Sequence, residues 1–314
     1  MNYLREGACG SKLAGCEKGM GINMNYTIEN EILSITISTR GAKLQSILER
    51  DGTEYLWQGD ENTGPDKAPN IFPYVARLTE GKYYYNGKYY EMPIHGFVKG
   101  SELKVIYYTK ETIVFFMSNN TETRKMYPFM FSYLVRYKLD GKKLYIKYEV
   151  INQDDKTMYF GLGGHPEFRV PIEDFLQFED YYMEFYDKKD LMRVGISENN
   201  FVNGIDKPFS LRENKYLDLK HELFNNDVII LKKMSKSITL TSDLGRKGVV
   251  VSYPQMKYLG IWHKPKIKVN YVCIEPWTSL PSREGITEDI TKQKDLISLE
   301  AGLSYTNTWS IAIL

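Results

Sequence analysis

Alternation of apolar and polar residues with a period of two is the dominant pattern along the chain. Leu33, Ile35 and Ile37, for example, alternate with serine and threonine. Because successive side chains of a strand point to opposite faces, this spacing predicts one buried and one solvated face. No segment sustains the period of about 3.6 residues that marks an amphipathic helix. The best helix candidates, residues 173–178 and 217–224, are short, so the pattern predicts a protein built almost entirely from strands.

Turn dipeptides between apolar runs predict where the strands reverse direction. Asn86-Gly87 separates two tyrosine-rich runs, and Asp140-Gly141 separates two longer apolar runs. Both dipeptides favour the type I′ turn, whose two central residues need positive φ angles. The remaining strand predictions are residues 103–108 and 113–117, which form a third hairpin, and residues 182–185, 237–241, 249–252, 259–262, 271–274 and 309–313.

The close spacing of strands and turns predicts an all-β protein, a large antiparallel β-sandwich. The 25 tyrosines and 14 phenylalanines suit half-buried pleated surfaces. No linker rich in proline, glycine or serine divides the chain, so we expect residues 24–314 to form a single domain. Residues 1–23 contain five glycines and little periodic pattern. We expect them to be a disordered extension or the result of a misassigned start, with Met24 as the working start.

Charge and cysteine content exclude several kinds of partner. The chain has 41 Lys and Arg against 40 Asp and Glu, so nothing predicts binding to nucleic acid or to an anionic membrane. Three cysteines cannot form a disulfide framework, which suits a reducing, cytoplasmic compartment. Cys9 and Cys16 have no later Cys/His pair at zinc spacing, so no metal site is expected. No run of about 18 apolar residues predicts a membrane span, and the N-terminus has no secretory signal.

Two histidines and one glutamate stand in settings that favour proton transfer. His95 precedes a glycine between strands, and His165 follows a cluster of glycines. Glycine lets a ligand approach the backbone closely, and a histidine over a rigid sheet exchanges protons near neutral pH. Glu275 follows the apolar run 271–274, where burial would raise its pKa towards that of a general base. The alternatives are turn histidines without a role and a strand-end glutamate paired with a surface lysine.

Trp277 and Arg77 are further candidates. Trp277 lies two residues after Glu275, where it either packs in the core or stacks on the apolar face of a sugar. Arg77 follows an apolar run, and its fork of donors can hold paired hydroxyls, although an ordinary surface arginine is the alternative. The sequence lacks the motifs of serine hydrolases, P-loop proteins, dinucleotide-binding folds and zinc proteases.

Six short motifs follow one another along the chain, each weak by itself. They are residues 72–78 (FPYVARL), 94–97 (IHGF), 164–168 (GHPEF), 224–228 (FNNDV), 258–262 (YLGIW) and 273–277 (CIEPW). In this order they resemble the aldose 1-epimerase (galactose mutarotase) family. The resemblance runs from about residue 25 to the C-terminus. It implies a large β-sandwich of the galactose mutarotase-like type, no cofactor, and a small-molecule sugar bound by a monomer or homodimer.

The resemblance also implies catalytic roles. Glu275 is expected to be the general base that takes the proton from the anomeric hydroxyl, and His165 the general acid that protonates the ring oxygen. The ring then opens, the C1–C2 bond rotates, and closure on the other face reverses both transfers. Each positioned proton transfer contributes typically about 10²–10⁴-fold to the rate. The implied activity is therefore interconversion of the α and β anomers of a free hexose.

Substrate-binding roles follow from the same resemblance. His95 and Arg77 are expected to bind hydroxyls and the ring oxygen, and Asp227 to accept hydrogen bonds from ring hydroxyls. Asp206 and Asp243 compete with Asp227 for that role.

The chain departs from the best-known members of the family at two positions. Those members place an asparagine before the acid histidine, where this chain has Gly164, and a histidine after the binding aspartate, where it has Val228. The differences suggest a divergent bacterial branch, and they leave the sugar open, with galactose and glucose as defaults.

Several alternative functions use the same fold. A phosphosugar epimerase would need clustered cations for the phosphate, for which Arg40, Arg77 or Arg124 are candidates. A binding protein without catalysis and an interaction module without a sugar site are further alternatives. A glycoside hydrolase would use two carboxylates across the bond, such as Glu275 and Asp227.

Overall fold

The computed structural model describes residues 23–59, 67–186 and 190–314. The expected extension over residues 1–23, with Cys9 and Cys16, lies outside the described residues apart from Asn23.

The regular structure is almost entirely β. In chain order the strands are β1 (Asn25–Glu29), β2 (Leu33–Ser38), β3 (Leu44–Glu49), β4 (Asn70–Ile71), β5 (Lys82–Tyr85), β6 (Lys88–Glu91), β7 (Lys104–Tyr108), β8 (Thr112–Ser118), β9 (Phe131–Asp140), β10 (Lys143–Asn152), β11 (Met158–Phe160), β12 (Gly163–Gly164), β13 (Glu167–Arg169), β14 (Tyr182–Phe185), β15 (Met192–Arg193), β16 (Lys207–Pro208), β17 (Tyr216–Asp218), β18 (Ile229–Lys232), β19 (Ser237–Thr241), β20 (Val249–Ser252), β21 (Tyr258–Trp262), β22 (Tyr271–Trp277), β23 (Ile297–Leu299) and β24 (Ser304–Ile313).

Helical structure is limited to short segments. Within the described ranges there is one α-helix, α1 (Thr121–Met126). It begins where the side chain of Asn120 accepts hydrogen bonds from the backbone of Glu122 and Thr123. None of the described helices has the length and hydrophobicity to cross a membrane. The remaining helical turns are of the 3₁₀ type and cover Thr79–Gly81, Val98–Gly100, Phe178–Asp180 and His221–Phe224.

Two large antiparallel sheets form the body of the protein. One has nine strands in the order β17-β14-β19-β20-β24-β10-β9-β8-β7. The other has eight strands in the order β16-β15-β18-β21-β22-β12-β4, with β13 also paired to β22. Both sheets contribute to one hydrophobic core, in which Tyr148 of β10 and Ile274 of β22 are fully buried. The predicted all-β antiparallel sandwich is therefore confirmed.

The predicted hairpins are present. Asn86 and Gly87 both have positive φ angles between β5 and β6, as a type I′ turn requires. Between β9 and β10 the register pairs Asp140 with Lys143, so the two loop residues are Gly141 and Lys142 rather than Asp140 and Gly141. Of these two, only the glycine has a positive φ angle, as in a type II′ turn. The hairpin prediction is correct and the turn lies one residue further along.

Both helix predictions are wrong. Residues 173–178 form irregular turns that end in the 3₁₀ segment at Phe178. Residues 217–224 divide between strand β17 and the 3₁₀ turn His221–Phe224. Leu217 pairs with Met183 across the edge of the nine-stranded sheet. Tertiary strand pairing therefore overrides the weak local helix preference at the start of the second segment.

Strand β22 organises the region described below. All seven of its residues are buried, and Glu275 is the only one of them that is charged at neutral pH in its ordinary state. The prediction ended this strand at residue 274, but the strand continues through Glu275 to Trp277. Gly260 of β21 lies opposite Glu275 on one side of the strand. Gly163 lies opposite Trp277 on the other side, so the glycine-rich segment before His165 is placed beside the carboxylate.

Candidate active site

Glu275 and His165 form a buried pair. Glu275 lies within β22 and is 2% exposed. The imidazole of His165, in the short link between β12 and β13, is more open to solvent, with 13% of its side chain exposed. Nε2 of His165 lies 3.2 Å from Oε2 of Glu275. The two groups that carry the predicted acid and base roles are therefore within hydrogen-bond distance of each other.

The surroundings of Glu275 favour its protonated form. Its pKa is raised well above the usual value, first by burial and then by the negative charges of Glu167 and Asp227. No described lysine forms an ion pair with it, so the alternative of a strand-end glutamate paired with a surface lysine does not match the structure. A carboxylate with a raised pKa holds a proton more strongly, which is the property of a general base.

His95 is held in an unusual backbone conformation beside this pair. Its φ is +65° and that of Gly96 is +73°. Gly96 admits no side chain, because a Cβ there would lie 2.1 Å from the carbonyl oxygen of Phe72. The backbone N–H of His95 donates to the carbonyl of Ala76 at 2.8 Å. The N–H of Ala76 donates in return to Nδ1 of His95 at 3.3 Å.

These contacts define the chemical form of His95. Burial lowers its pKa well below the usual value, and the nearby charges of His165, Lys99 and Arg77 act in the same direction. The ring is therefore neutral at pH 7. Because Nδ1 accepts a hydrogen bond, Nε2 carries the proton and is a donor. The rings of His95 and His165 meet edge to face with centroids 5.2 Å apart.

Asp227 is fixed through both carboxylate oxygens. Nε1 of Trp262 donates to Oδ1 at 2.6 Å, and the side-chain amide of Asn200 donates to Oδ2. The two competing aspartates are occupied elsewhere. Asp206 forms an ion pair with Lys232, and Asp243 accepts a hydrogen bond from the hydroxyl of Tyr182 at 2.8 Å.

A cavity of about 180 Å³ brings the predicted residues together. All six candidates line it: Glu275, His165, Arg77, His95, Asp227 and Trp277. The sequence analysis assigned no role to the other lining residues. Four of them, Ala76, Ile94, Val228 and Trp262, lie in the six motifs, whereas Asn200 and Pro281 carry no sequence signal. The full set without a predicted role is Ala76, Ile94, Asn200, Val228, Trp262 and Pro281.

A group of potential metal ligands includes His165 of this pair. Ligand atoms of His165, Glu167 and Cys273 lie within 4.8 Å of one another. Burial raises the pKa of the Cys273 thiol well above its usual range, and the charges of Glu167 and Glu275 raise it further. Because a thiolate is the form that binds a metal, this arrangement supports a buried thiol beside the acid–base pair better than a metal centre.

The three arginines considered for a phosphate are not clustered. Arg77 lines the cavity of about 180 Å³, where its Nη1 donates to the carbonyl of Asn199 at 3.4 Å. Arg40 lines neither this cavity nor that of Arg124, and its backbone pairs with that of Glu102 in an isolated β-bridge. Arg124 lines a separate surface cavity of about 530 Å³.

Comparison with known proteins gives one consistent family. The model of the aldose 1-epimerase family matches residues 24–306. The plasmid LacX protein of Lactococcus lactis subsp. lactis is 30% identical over 290 residues, which cover 88% of this chain and 96% of that protein.

Solved structures share the fold over nearly the whole chain. The galactose mutarotase related enzyme of Lactobacillus acidophilus is 31% identical, with a TM-score of 0.88 over 93% of this chain and 97% of that one. The galactose mutarotase-like protein of Lactobacillus casei ATCC 334 is 29% identical, with a TM-score of 0.88 over 93% of this chain and 100% of that one.

Proposed function

Since the chain belongs to the aldose 1-epimerase family and is a sugar isomerase, we propose that Glu275 and His165 carry out its acid–base chemistry on an aldose. The observation that carries this assignment is the distance of 3.2 Å between His165 Nε2 and Glu275 Oε2 at the wall of a small cavity. The reaction interconverts the α and β anomers of the sugar.

The chemistry requires one base and one acid close to the same carbon. The anomeric hydroxyl and the ring oxygen are both bonded to C1, so two groups a hydrogen-bond length apart can serve both oxygens. Glu275 takes the proton of the anomeric hydroxyl while His165 gives a proton to the ring oxygen, and the C1–ring oxygen bond breaks. Rotation about C1–C2 presents the other face of the aldehyde. The two transfers then run in reverse, and the enzyme recovers its starting protonation state.

The remaining cavity residues suit the binding of hydroxyls. The carboxylate of Asp227 accepts hydrogen bonds from sugar hydroxyls. The Nε2–H of His95 and the positively charged guanidinium of Arg77 donate hydrogen bonds to sugar oxygens. Trp262 and Asn200 hold Asp227 rigidly. Trp277 offers an apolar surface on which a sugar ring can stack. The cavity of about 180 Å³ is smaller than the roughly 300–1,000 Å³ of pockets for drug-sized ligands, so its size suits a single sugar ring.

Glycoside hydrolysis has less support from the same residues. It would require Asp227 to act as a second acid or nucleophile opposite Glu275. Both oxygens of Asp227 already accept hydrogen bonds, from Trp262 and Asn200. The group next to Glu275 is an imidazole, and an acid–base pair of this kind favours mutarotation.

Polarimetry tests the proposal. Freshly dissolved α-D-glucose and α-D-galactose are followed with wild type, Glu275→Gln, His165→Asn and the control Glu111→Gln, whose side chain is exposed. We expect acceleration by wild type and by the control, and a loss of at least about 100-fold in either site variant. A rate within tenfold of wild type in Glu275→Gln would remove Glu275 as the base. Binding of sugar without acceleration by wild type would favour the non-catalytic alternative.

A further inference from the structure

A second cavity lies on the same face of the eight-stranded sheet as Glu275. Successive side chains of a strand alternate between faces, so Tyr271 and Glu275 of β22 point the same way. Arg169 lies opposite Tyr271 in the pairing of β13 with β22. It lines a cavity of about 420 Å³ that Trp57 also lines, hereafter the Trp57 cavity. Tyr271 and Glu275 are about 13 Å apart along the strand, and none of the described residues lines both cavities, so the two are separate.

Trp57 gives this cavity an aromatic wall. Its side chain is partly exposed, and its indole stacks on Tyr271 with ring centroids 6.1 Å apart and 25° between the ring planes. Tyr271 is 2% exposed, so a buried ring supports the indole. Phe178 lines the cavity as well. The C–H groups of one face of a sugar ring pack well on aromatic side chains fixed in this way.

A chain of hydrogen bonds fixes which nitrogens of two buried histidines carry protons. Nδ1 of His263 lies 2.7 Å from the carbonyl oxygen of Lys264, so this nitrogen is a donor. Nε2 of the neutral His263 ring is then an acceptor, and Nδ1 of His221, 3.2 Å away, donates to it. Burial lowers the pKa of both histidines, which keeps both rings neutral at pH 7. Nε2 of His221, the last nitrogen of the chain, is therefore an acceptor.

This acceptor lies next to a second acceptor at the wall of the Trp57 cavity. Oε1 of Glu179 lies 3.7 Å from Nε2 of His221, and both residues line the cavity. Within the described ranges, no residue donates a hydrogen bond to Nε2 of His221. Two acceptors this close are satisfied by donors that come from outside the chain, and two neighbouring hydroxyl groups of one ligand supply a donor to each.

The charges around the Trp57 cavity cancel. Two cations, Arg169 and Lys268, and two carboxylates, Asp174 and Glu179, line it, and Arg169 forms an ion pair with Asp174. A cationic ligand would be repelled by Arg169 and Lys268. An anionic ligand would be repelled by Glu179 and would have no donor for His221. The lining therefore favours a neutral ligand whose groups both donate and accept hydrogen bonds.

We propose that the Trp57 cavity is a second binding site, which takes a neutral disaccharide. One ring packs against Trp57, and neighbouring hydroxyls donate to His221 and Glu179. The volume of about 420 Å³ lies within the roughly 300–1,000 Å³ of small-molecule pockets and exceeds the volume of about 180 Å³ around Glu275. No bond is made or broken at this site, and none of its lining residues takes part in the reaction proposed for Glu275 and His165.

The indole signals of the tryptophans report on both cavities in one titration. In a nitrogen–proton correlation NMR spectrum each of the four tryptophans gives one indole N–H signal, and Trp57→Phe identifies that of Trp57 by its loss. Trp262 and Trp277 line the cavity around Glu275, and Trp309 is buried in the core. The probes are sucrose, trehalose, lactose and maltose. We expect at least one of them to shift the Trp57 signal to saturation and to leave the Trp309 signal in place.

Glu179→Ala is the variant that tests the site, because it removes one of the two acceptors at an exposed position. We expect the dissociation constant measured at the Trp57 signal to rise by at least about tenfold. Glu222→Ala is the matched control. Glu222 is exposed, follows His221 directly and does not line the cavity, so the dissociation constant should stay at the wild-type value.

Two results would overturn the inference. One is a Trp57 signal that none of the four disaccharides moves. The other is the same dissociation constant at this signal in wild type and in Glu179→Ala. The titration needs no turnover, so it decides on the second site whether or not the protein accelerates mutarotation.

Discussion

Burial of Glu275 links its proposed catalytic role to stability at the level of a single residue. Its pKa in the folded protein is raised above the ordinary value of 4.5. The folded state therefore binds this proton more tightly than the unfolded chain, and the stabilisation is complete below pH 4.5. It is lost as the pH rises through the folded pKa. At alkaline pH the folded protein holds the Glu275 carboxylate as a buried charge, which lowers the free energy of unfolding.

Replacing Glu275 with glutamine should therefore separate activity from stability. Glutamine keeps the size and one acceptor oxygen but carries no charge. We expect Glu275→Gln to lose at least about 100-fold in mutarotation and to unfold at an equal or higher temperature than wild type at about pH 8. Thermal unfolding followed by circular dichroism provides the check. A variant that unfolds well below wild type at this pH would show that the charged pair with His165 is stabilising.

Glu167 is a second residue whose charge affects the site. It lies opposite Cys273 in the pairing of β13 with β22, and its negative charge raises the pKa of Glu275. A base works only when deprotonated, so if Glu275 is the base, as we propose, we expect the rate to rise with pH through its pKa. Glu167→Gln removes the repulsion, and we expect the acid limb of the pH–rate profile to move to lower pH. Glu111→Gln is the matched control, and a limb at the same pH in both variants would contradict the prediction.

Sequence reasoning reached those site residues that lie in motifs and missed those supplied by loops and edges. Glu275 and His165 stand beside an apolar run and a glycine cluster, which are visible in one dimension. Asn200 carries no such mark. Its place beside Asp227 depends on the path of the chain between β15 and β18, which brings together two residues separated by about thirty positions in the sequence. Periodicity carries no information about such contacts.

At the level of elements, the short strand β12 has a requirement for glycine. A Cβ on Gly164 would lie 2.4 Å from Cζ2 of Trp309, which β24 projects from the opposite sheet. The tryptophan therefore occupies the space that a side chain at position 164 would need. The departure noted in the sequence therefore has a packing explanation.

Gly164→Ala should consequently disturb both the core and the adjacent His165. Overpacking of a well-packed interior costs typically about 1–3 kcal/mol, and we expect a loss of this size in the free energy of unfolding measured with urea. Gly100→Ala is the matched control, because a Cβ there would meet nothing within 4 Å. Equal stability of the two variants would mean that Trp309 moves aside without cost.

Elements were predictable where one face is buried and the other is wet. The alternation at residues 33–38 matches β2, whose three apolar positions are at most 1% exposed. Strand β22 was predicted too short, because its last residues include a glutamate and a proline that local preference does not assign to a strand. Helix α1 was missed because six residues make fewer than two turns, too few for a helical period to show.

At the scale of the whole molecule, strand order was beyond the sequence. Alternation states which face of a strand is buried but not which strand lies next to it. Strand β24, near the end of the chain, inserts between β20 and β10 and completes the nine-stranded sheet. Contacts between such distant segments are chosen by packing in the common core and have no local signature.

A histidine pair away from the site makes the stability of the whole protein sensitive to acid. Nδ1 of His263 donates to the carbonyl of Lys264 at 2.7 Å, and Nε2 lies 3.2 Å from Nδ1 of His221. His263 is fully buried. Burial lowers its pKa to about 4, and the charge of His221 acts in the same direction. The pKa of His221 is lowered as well, first by burial, although Glu179 partly opposes this.

The direction of the effect follows from these pKa values. Between about pH 6.5 and pH 4 an unfolded chain holds a proton on His263 that the folded protein does not. Acid therefore favours unfolding, and the free energy of unfolding should fall by up to about 3 kcal/mol across this window. Protonation would also place an N–H of His263 against the N–H that His221 directs at it, since Nδ1 of His263 is already a donor to Lys264.

Urea unfolding of wild type and His263→Gln at about pH 7.5 and pH 5 measures the effect. We expect the variant to lose less stability on acidification than wild type, even if it is less stable at both pH values. An equal loss in both proteins would assign acid sensitivity to other groups, because Glu275 acts in the opposite direction over the same range.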